Sequence, residues 1–209
     1  MKVTVFGATG SVGRLAVERF LAAGHEVRAF ARDPRKLALS HPALTLVAGD
    51  ARDASAVAAA LRGQDAVVIT VGAGMSRKSR VRSEATMTVI QAMQAEGVSR
   101  LICQSTLGAH ESWSNLNFWW KRVMFGALLR PVFMDHELQE QLVRASGLDW
   151  TIVRPGAFTD GPATGGYREG FAPSERRLSL KITRADVAEF LRRQLTETRY
   201  LHRAVGISN

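Results

Sequence analysis

The chain has 209 residues, of which 46% are apolar and 22% charged, ordinary values for a globular protein and wrong for a disordered or fibrous one. Its 28 Lys and Arg exceed 19 Asp and Glu, and the net charge of +9 makes a nucleotide, a nucleic acid or an anionic membrane worth considering without choosing among them. The single cysteine, Cys103, excludes an internal disulfide framework and a multi-cysteine metal site.

In chain order, residues 2–6 read as a buried strand and 11–23 as a helix with Val12, Leu15, Ala16 and Phe20 on one face. Strands are predicted over 26–30 and 44–47, a short helix over 54–61 and an apolar strand over 65–71. A helix over 83–96 and a strand over 100–104 follow. The helix predicted over 135–145 ends at Ser146-Gly147, a glycine-type cap, and a strand over 150–153 stops at Pro155. Residues 156–173, rich in Gly, Pro and Thr, read as loop, and 178–182 as a late strand. Thr183-Arg184-Ala185-Asp186 resembles a capping box opening a helix through Leu195. Short β-branched runs separated by amphipathic helices imply βαβ units and a doubly wound parallel α/β sheet with helices on both faces. With no repeat, low-complexity tract or linker, residues 1–209 are expected to form one domain.

The first strand runs into Gly7-Ala8-Thr9-Gly10-Ser11-Val12-Gly13 and then a helix. In that context Gly7 allows a tight turn, Gly10 lets the backbone approach a pyrophosphate, and Gly13 lets helix pack on strand. The helix start then offers free N–H groups to phosphates. Thr9, Ser11 and Val12 belong to the same candidate contact. After the second strand the first charged residue is Arg32, with Arg35 and Lys36 within a turn. A guanidinium there suits a 2′-phosphate, so NADP(H) is expected over NAD(H), which stays possible through Asp33. Asp50 is placed to meet an adenine edge, and Gly72, in Val71-Gly72-Ala73-Gly74, leaves room for the cofactor.

Together with Gly63-Gln64-Asp65, Cys103-Gln104-Ser105, Asp135-His136, Gly161-Pro162-Ala163-Thr164-Gly165 and Ile182-Thr183-Arg184-Ala185-Asp186, these motifs resemble the atypical short-chain dehydrogenase/reductase superfamily. The resemblance is to its NAD(P)-binding, NmrA-like branch, and most to the biliverdin-IXβ reductase/flavin reductase group. It implies a Rossmann sheet of order 3-2-1-4-5-6 with a small C-terminal substrate region. It further implies Ser105 at the nicotinamide, His136 lining the same pocket, and Pro155 bordering the nicotinamide. Ser105 and His136 are therefore the candidate catalytic residues. Segments at about 107–134 and 156–182 would shape the substrate region.

Typical members of the superfamily use Tyr-x-x-x-Lys as general acid. Here the residues four beyond Tyr167 and Tyr200 are Phe171 and Ala204, so that donor is absent. A ketone needs a positioned acid at its oxygen, whereas a flavin, quinone or linear tetrapyrrole delocalises the charge. The expectation is an NADPH-dependent reductase of a planar conjugated acceptor; the alternative is a non-catalytic NADP(H)-binding redox sensor. The histidines show no metal spacing, and no nucleic-acid-binding motif is present.

Two segments stand apart. Residues 77–82 carry four positive charges where a doubly wound fold borders its cofactor. Residues 113–133 are aromatic, with Phe118-Trp119-Trp120, and read first as lid or core, then as protein interface, then as interfacial membrane helix. Lys121, Arg122, Arg130 and Pro131 argue against a span, and the N-terminus reaches Gly7 too soon for a signal peptide, so a cytoplasmic protein, monomer or dimer, is expected.

Overall fold

The computed structural model describes residues 1–74 and 80–209. Its elements are β1 (Lys2–Phe6), α1 (Ser11–Ala22), β2 (Glu26–Ala31), β3 (Leu44–Ala48), α2 (Ala54–Leu61), β4 (Ala66–Ile69), α3 (Val81–Glu96) and β5 (Arg100–Gln104). They continue with α4 (Arg130–Arg144), β6 (Asp149–Pro155), β7 (Ala157–Thr159), β8 (Arg168–Glu169), β9 (Lys181–Thr183), α5 (Arg184–Arg193) and β10 (Arg203–Ser208).

The main sheet runs β3-β2-β1-β4-β5-β6-β10-β8, so the 3-2-1-4-5-6 order is present and is extended at one side. All its pairings are parallel except β10 with β8. Parallel strands need crossovers, and those crossovers put helices on both faces. On one face α1 and α5 pack over Val3, Val5, Ala29 and Val68. On the other, residues of α2, α3 and α4 pack over Phe6, Val67, Leu101 and Ile152. β1 and β4 are buried from both sides, which is why they read as continuous apolar runs.

Several expectations change. The fourth helix starts at Arg130, not at residue 135; Pro131 sits in its first turn, where its missing N–H costs no hydrogen bond. The stretch 156–173 is not all loop. β7 pairs with β9 as a separate two-stranded sheet, and β8 closes the main sheet. β10 was not foreseen. Residues His110–Asn115 form a 3₁₀ turn and Trp120–Leu128 a π-helix. Leu107, Leu116, Phe125, Phe133 and Leu180 gather there in a third core, above the C-terminal ends of the strands.

The helix predicted from Thr183 has its capping geometry. The Asp186 N–H donates to Thr183 Oγ1 at 3.0 Å. The Asp186 carboxylate also accepts from Thr164 N–H at 2.8 Å and Gly165 N–H at 2.9 Å, tying the Gly-rich stretch to α5.

Candidate functional site

The turn after β1 is set by backbone crowding. Gly7 has φ +84°, and a Cβ there would lie 2.8 Å from the Thr70 carbonyl carbon. A Cβ on Gly13 would overlap the Gly7 carbonyl oxygen, so α1 can sit this close only with glycine. Gly10 caps α1 without a side-chain hydrogen bond, and the first turn holds no acidic residue. The N–H groups of Ser11, Val12 and Gly13 thus have no partner within the helix and no competing carboxylate. This cradle fits a pyrophosphate.

A cleft of about 790 Å³ runs from this turn across the strand ends. Gly7, Thr9, Gly10, Ser11 and Val12 line it, while Gly13 lies behind in the helix packing. At the β2 end, Arg32 lines the cleft and is exposed. Asp33 instead pairs with Arg35 at 3.3 Å; neither they nor Lys36 line the cleft. Asp50 does, and so does a residue that the sequence did not single out, Arg52. Arg52 grips both Asp50 oxygens, at 3.0 and 2.7 Å, and these bonds hold the carboxyl at about 2. The Asp50-x-Arg52 spacing permits this clasp, but only the fold turns it toward the cleft.

Gly72, Ser105 and Pro155 line the middle. The Ser105 N–H donates to the Val153 carbonyl at 2.7 Å, fixing the residue between β5 and β6. Its hydroxyl is buried without a partner among the described residues, as is Gln104 Oε1 beside it. His136, on α4, also faces the cleft, with a buried, unpartnered Nδ1. Burial, assisted by the Arg82 charge, pushes its imidazole down to about 3, so it is neutral at pH 7.

The neighbouring Asp135 carboxylate caps α3. It accepts from Ser83 Oγ at 2.6 Å, Ser83 N–H at 3.1 Å and Arg82 N–H at 3.2 Å. Of the basic run 77–82, Arg82 lines the cleft, and residues 77–79 lie outside the described residues.

The far end is apolar. Leu116, Trp120, Phe125 and Leu129 come from the 107–134 segment, Phe158 and Leu180 from 156–182. The element carrying His136 is anchored from below by an ion pair: Arg154 of β6 donates to Glu140 of α4 at 2.8 and 2.5 Å. Arg154 also reaches Glu111 at 3.2 Å. Burial works to raise the Glu111 carboxyl, but bonds from Arg154 and Arg144 outweigh it and hold it at about 2.

Neither tyrosine lines the cleft. Tyr200 donates to Glu169 at 3.2 Å and Tyr167 accepts from Arg193 at 3.3 Å, at the β8 side. Cys103 is buried in β5, and burial raises its thiol pKa. Among the described residues no group of three or more His, Cys, Asp or Glu is placed to hold a metal. No helix among them is long and apolar enough to cross a membrane.

A glycine turn feeding a helix N-terminus, at the edge of a 3-2-1-4-5-6 parallel sheet, defines a dinucleotide-binding Rossmann protein. The chain belongs to the NAD(P)H-binding family, whose model matches residues 7–198. It is 29% identical to the uncharacterized sugar epimerase YhfK of Bacillus subtilis, over all of this chain and 94% of that one. It is also similar to ChuY, an anaerobilin reductase from Escherichia coli O157:H7, at 29% identity and a TM-score of 0.81, over 100% of this chain and 97% of that one. A short-chain dehydrogenase/reductase from Veillonella parvula in complex with NADP shares the fold, at 16% identity and a TM-score of 0.85, over 100% of this chain and 94% of that one. These findings agree with the resemblance drawn from the motifs.

Proposed function

We propose that the chain is an NADPH-dependent reductase that passes hydride to a flavin, quinone or similarly conjugated acceptor. One observation carries this: among the described residues, the apolar end of the cleft offers no strong acid. His136 is held neutral down to about pH 3, and both tyrosines bond elsewhere. A ketone oxygen would lack its proton donor there, whereas a conjugated acceptor takes its proton from water. ChuY's description as a reductase supports the same reading.

When bound, the nicotinamide supplies the hydride. The turn residues Gly7, Thr9, Gly10, Ser11 and Val12 hold the pyrophosphate. Arg32 meets the 2′-phosphate, because it lines the cleft while Asp33 is engaged by Arg35. Lys36 adds charge at most from a distance. Asp50, held by Arg52, faces the adenosine. Gly72 and Pro155 shape the floor. Ser105, through its unpartnered hydroxyl, orients the reacting rings, and His136 gives one hydrogen bond from a neutral ring. Residues 1–209 then act as one domain in the cytoplasm, with the 107–134 and 156–182 segments forming the acceptor end.

The test is NADPH oxidation followed by absorbance against a panel of flavins and quinones. Turnover with at least one planar acceptor is expected. No turnover by protein that demonstrably binds NADPH would overturn the assignment and leave a binding protein without catalysis.

A further inference from the structure

The π-helix, with the helical residues 118–119 that lead into it, has two unlike faces. Its inner residues Trp120 and Phe125 wall the cleft. Outside, Phe118 is 75% exposed, Trp119 52%, Val123 37% and Leu128 48%. Positions 118, 119, 122 and 123 recur every four residues, near the repeat of the wider π turn, so they share one side. An exposed aromatic cluster of this kind marks a contact surface.

Within the segment the charge is of one sign. Lys121, Arg122 and Arg130 flank the cluster, and no Asp or Glu occurs from residue 116 to 134. The whole chain carries +9. We propose that this face docks on an anionic lipid surface. Trp and Phe are the side chains that settle at a bilayer's polar boundary, and the basic residues meet acidic headgroups while their stems lie along the apolar layer. The contact is peripheral.

A second copy of the chain fits worse. A two-fold contact built on this cluster would set Lys121, Arg122 and Arg130 against their own counterparts around an apolar patch, with no acid in the segment to pair them. The docking face and the cleft wall belong to one element, so an apolar acceptor dissolved in the bilayer would reach the cleft across Trp120. The docking itself does not depend on the acceptor's identity.

The experiment is co-sedimentation with phosphatidylcholine vesicles, with and without phosphatidylglycerol, with tryptophan emission read in parallel. Two double variants are compared, Phe118→Ser with Trp119→Ser and Lys121→Gln with Arg122→Gln, and NADPH binding by each shows that its fold is intact. Binding to the anionic vesicles, a blue shift in emission and weakening by salt are expected. The aromatic variant should lose partition roughly 100-fold. The charge variant should lose roughly 20-fold on anionic vesicles and little on neutral ones. Equal binding by wild type and aromatic variant overturns the proposal, as does absence of vesicle binding. So does a dimer that the aromatic substitutions abolish in protein that ignores vesicles, which would assign the face to self-association. If NADPH alone shields Trp119 from an aqueous quencher and vesicles do not bind, the face is a closing lid and the proposal falls.

Discussion

At the scale of single residues, two side chains give measurable consequences. Arg32 lines the cleft and makes no hydrogen bond or ion pair among the described residues, acting on Asp50 only through its charge, whereas the nearby Asp33 pairs with Arg35. Arg32→Ala should therefore weaken NADPH by about tenfold or more and NADH little, since a charge-assisted phosphate bond is worth about 1.5–3 kcal/mol. Equilibrium titration with both cofactors reads the ratio, and equal losses would remove the 2′-phosphate assignment. His136 sets a pH dependence. Above its ordinary value of 6.5 the ring is neutral folded and unfolded; below it the unfolded chain takes up a proton that the folded site refuses until about pH 3. Stability is thus lost as pH falls through that window, at up to about 1.4 kcal/mol per pH unit. Denaturation midpoints should decline less steeply in His136→Asn, and parallel slopes would show that the ring is not held neutral. The glycine turn was legible because its geometry is local: seven consecutive residues hold the glycines and the helix start. Arg52 was not, because its role depends on a clasp with Asp50 that faces a strand-end cleft.

At the scale of elements, the buried pair between β6 and α4 positions His136. Glu140→Gln leaves the Arg154 guanidinium buried with only the half-exposed Glu111 to balance it. A loss of roughly 3–5 kcal/mol is expected in urea denaturation. Asp186 plays the corresponding part for α5. Asp186→Ala removes the acceptor of Thr164 and Gly165 and should cost about 1–3 kcal/mol, with earlier proteolysis near residue 164. The six strands of the nucleotide fold were readable because apolar runs and capping signals are written in neighbouring residues. β7 and β9 were harder: each has three residues, and their order comes from pairing with one another. α4 starts five residues before the predicted 135, with Pro131 in its first turn, where proline is compatible with helix.

At the scale of the molecule, cofactor binding and folding are linked, since the cradle exists only when β1, β4 and α1 are assembled. NADPH at about 100 times its Kd should add about 2.7 kcal/mol, raising Tm by roughly 5–10 °C for a chain of this size. A larger rise with NADPH than with NADH at equal concentration is expected in a thermal melt. An equal rise would mean that the two cofactors bind alike.

β10 has a consequence for the order of assembly. Arg203–Ser208 lies inside the main sheet, between β6 and β8, although it is the latest strand in the chain. Its residues, with Asn209 just after them, anchor the 156–182 segment: Gly156 N–H donates to Ile207, Gly170 N–H to Gly206, and Ser179 N–H to Asn209. During synthesis the first six strands can pair, and the phosphate turn can form, while these anchors are still to be made. The first six strands are ready first, and the 156–182 segment must wait for β10. A chain halted before Arg203 would keep its glycine cradle, but the backbone at Gly156, Gly170 and Ser179 would have nothing to hold.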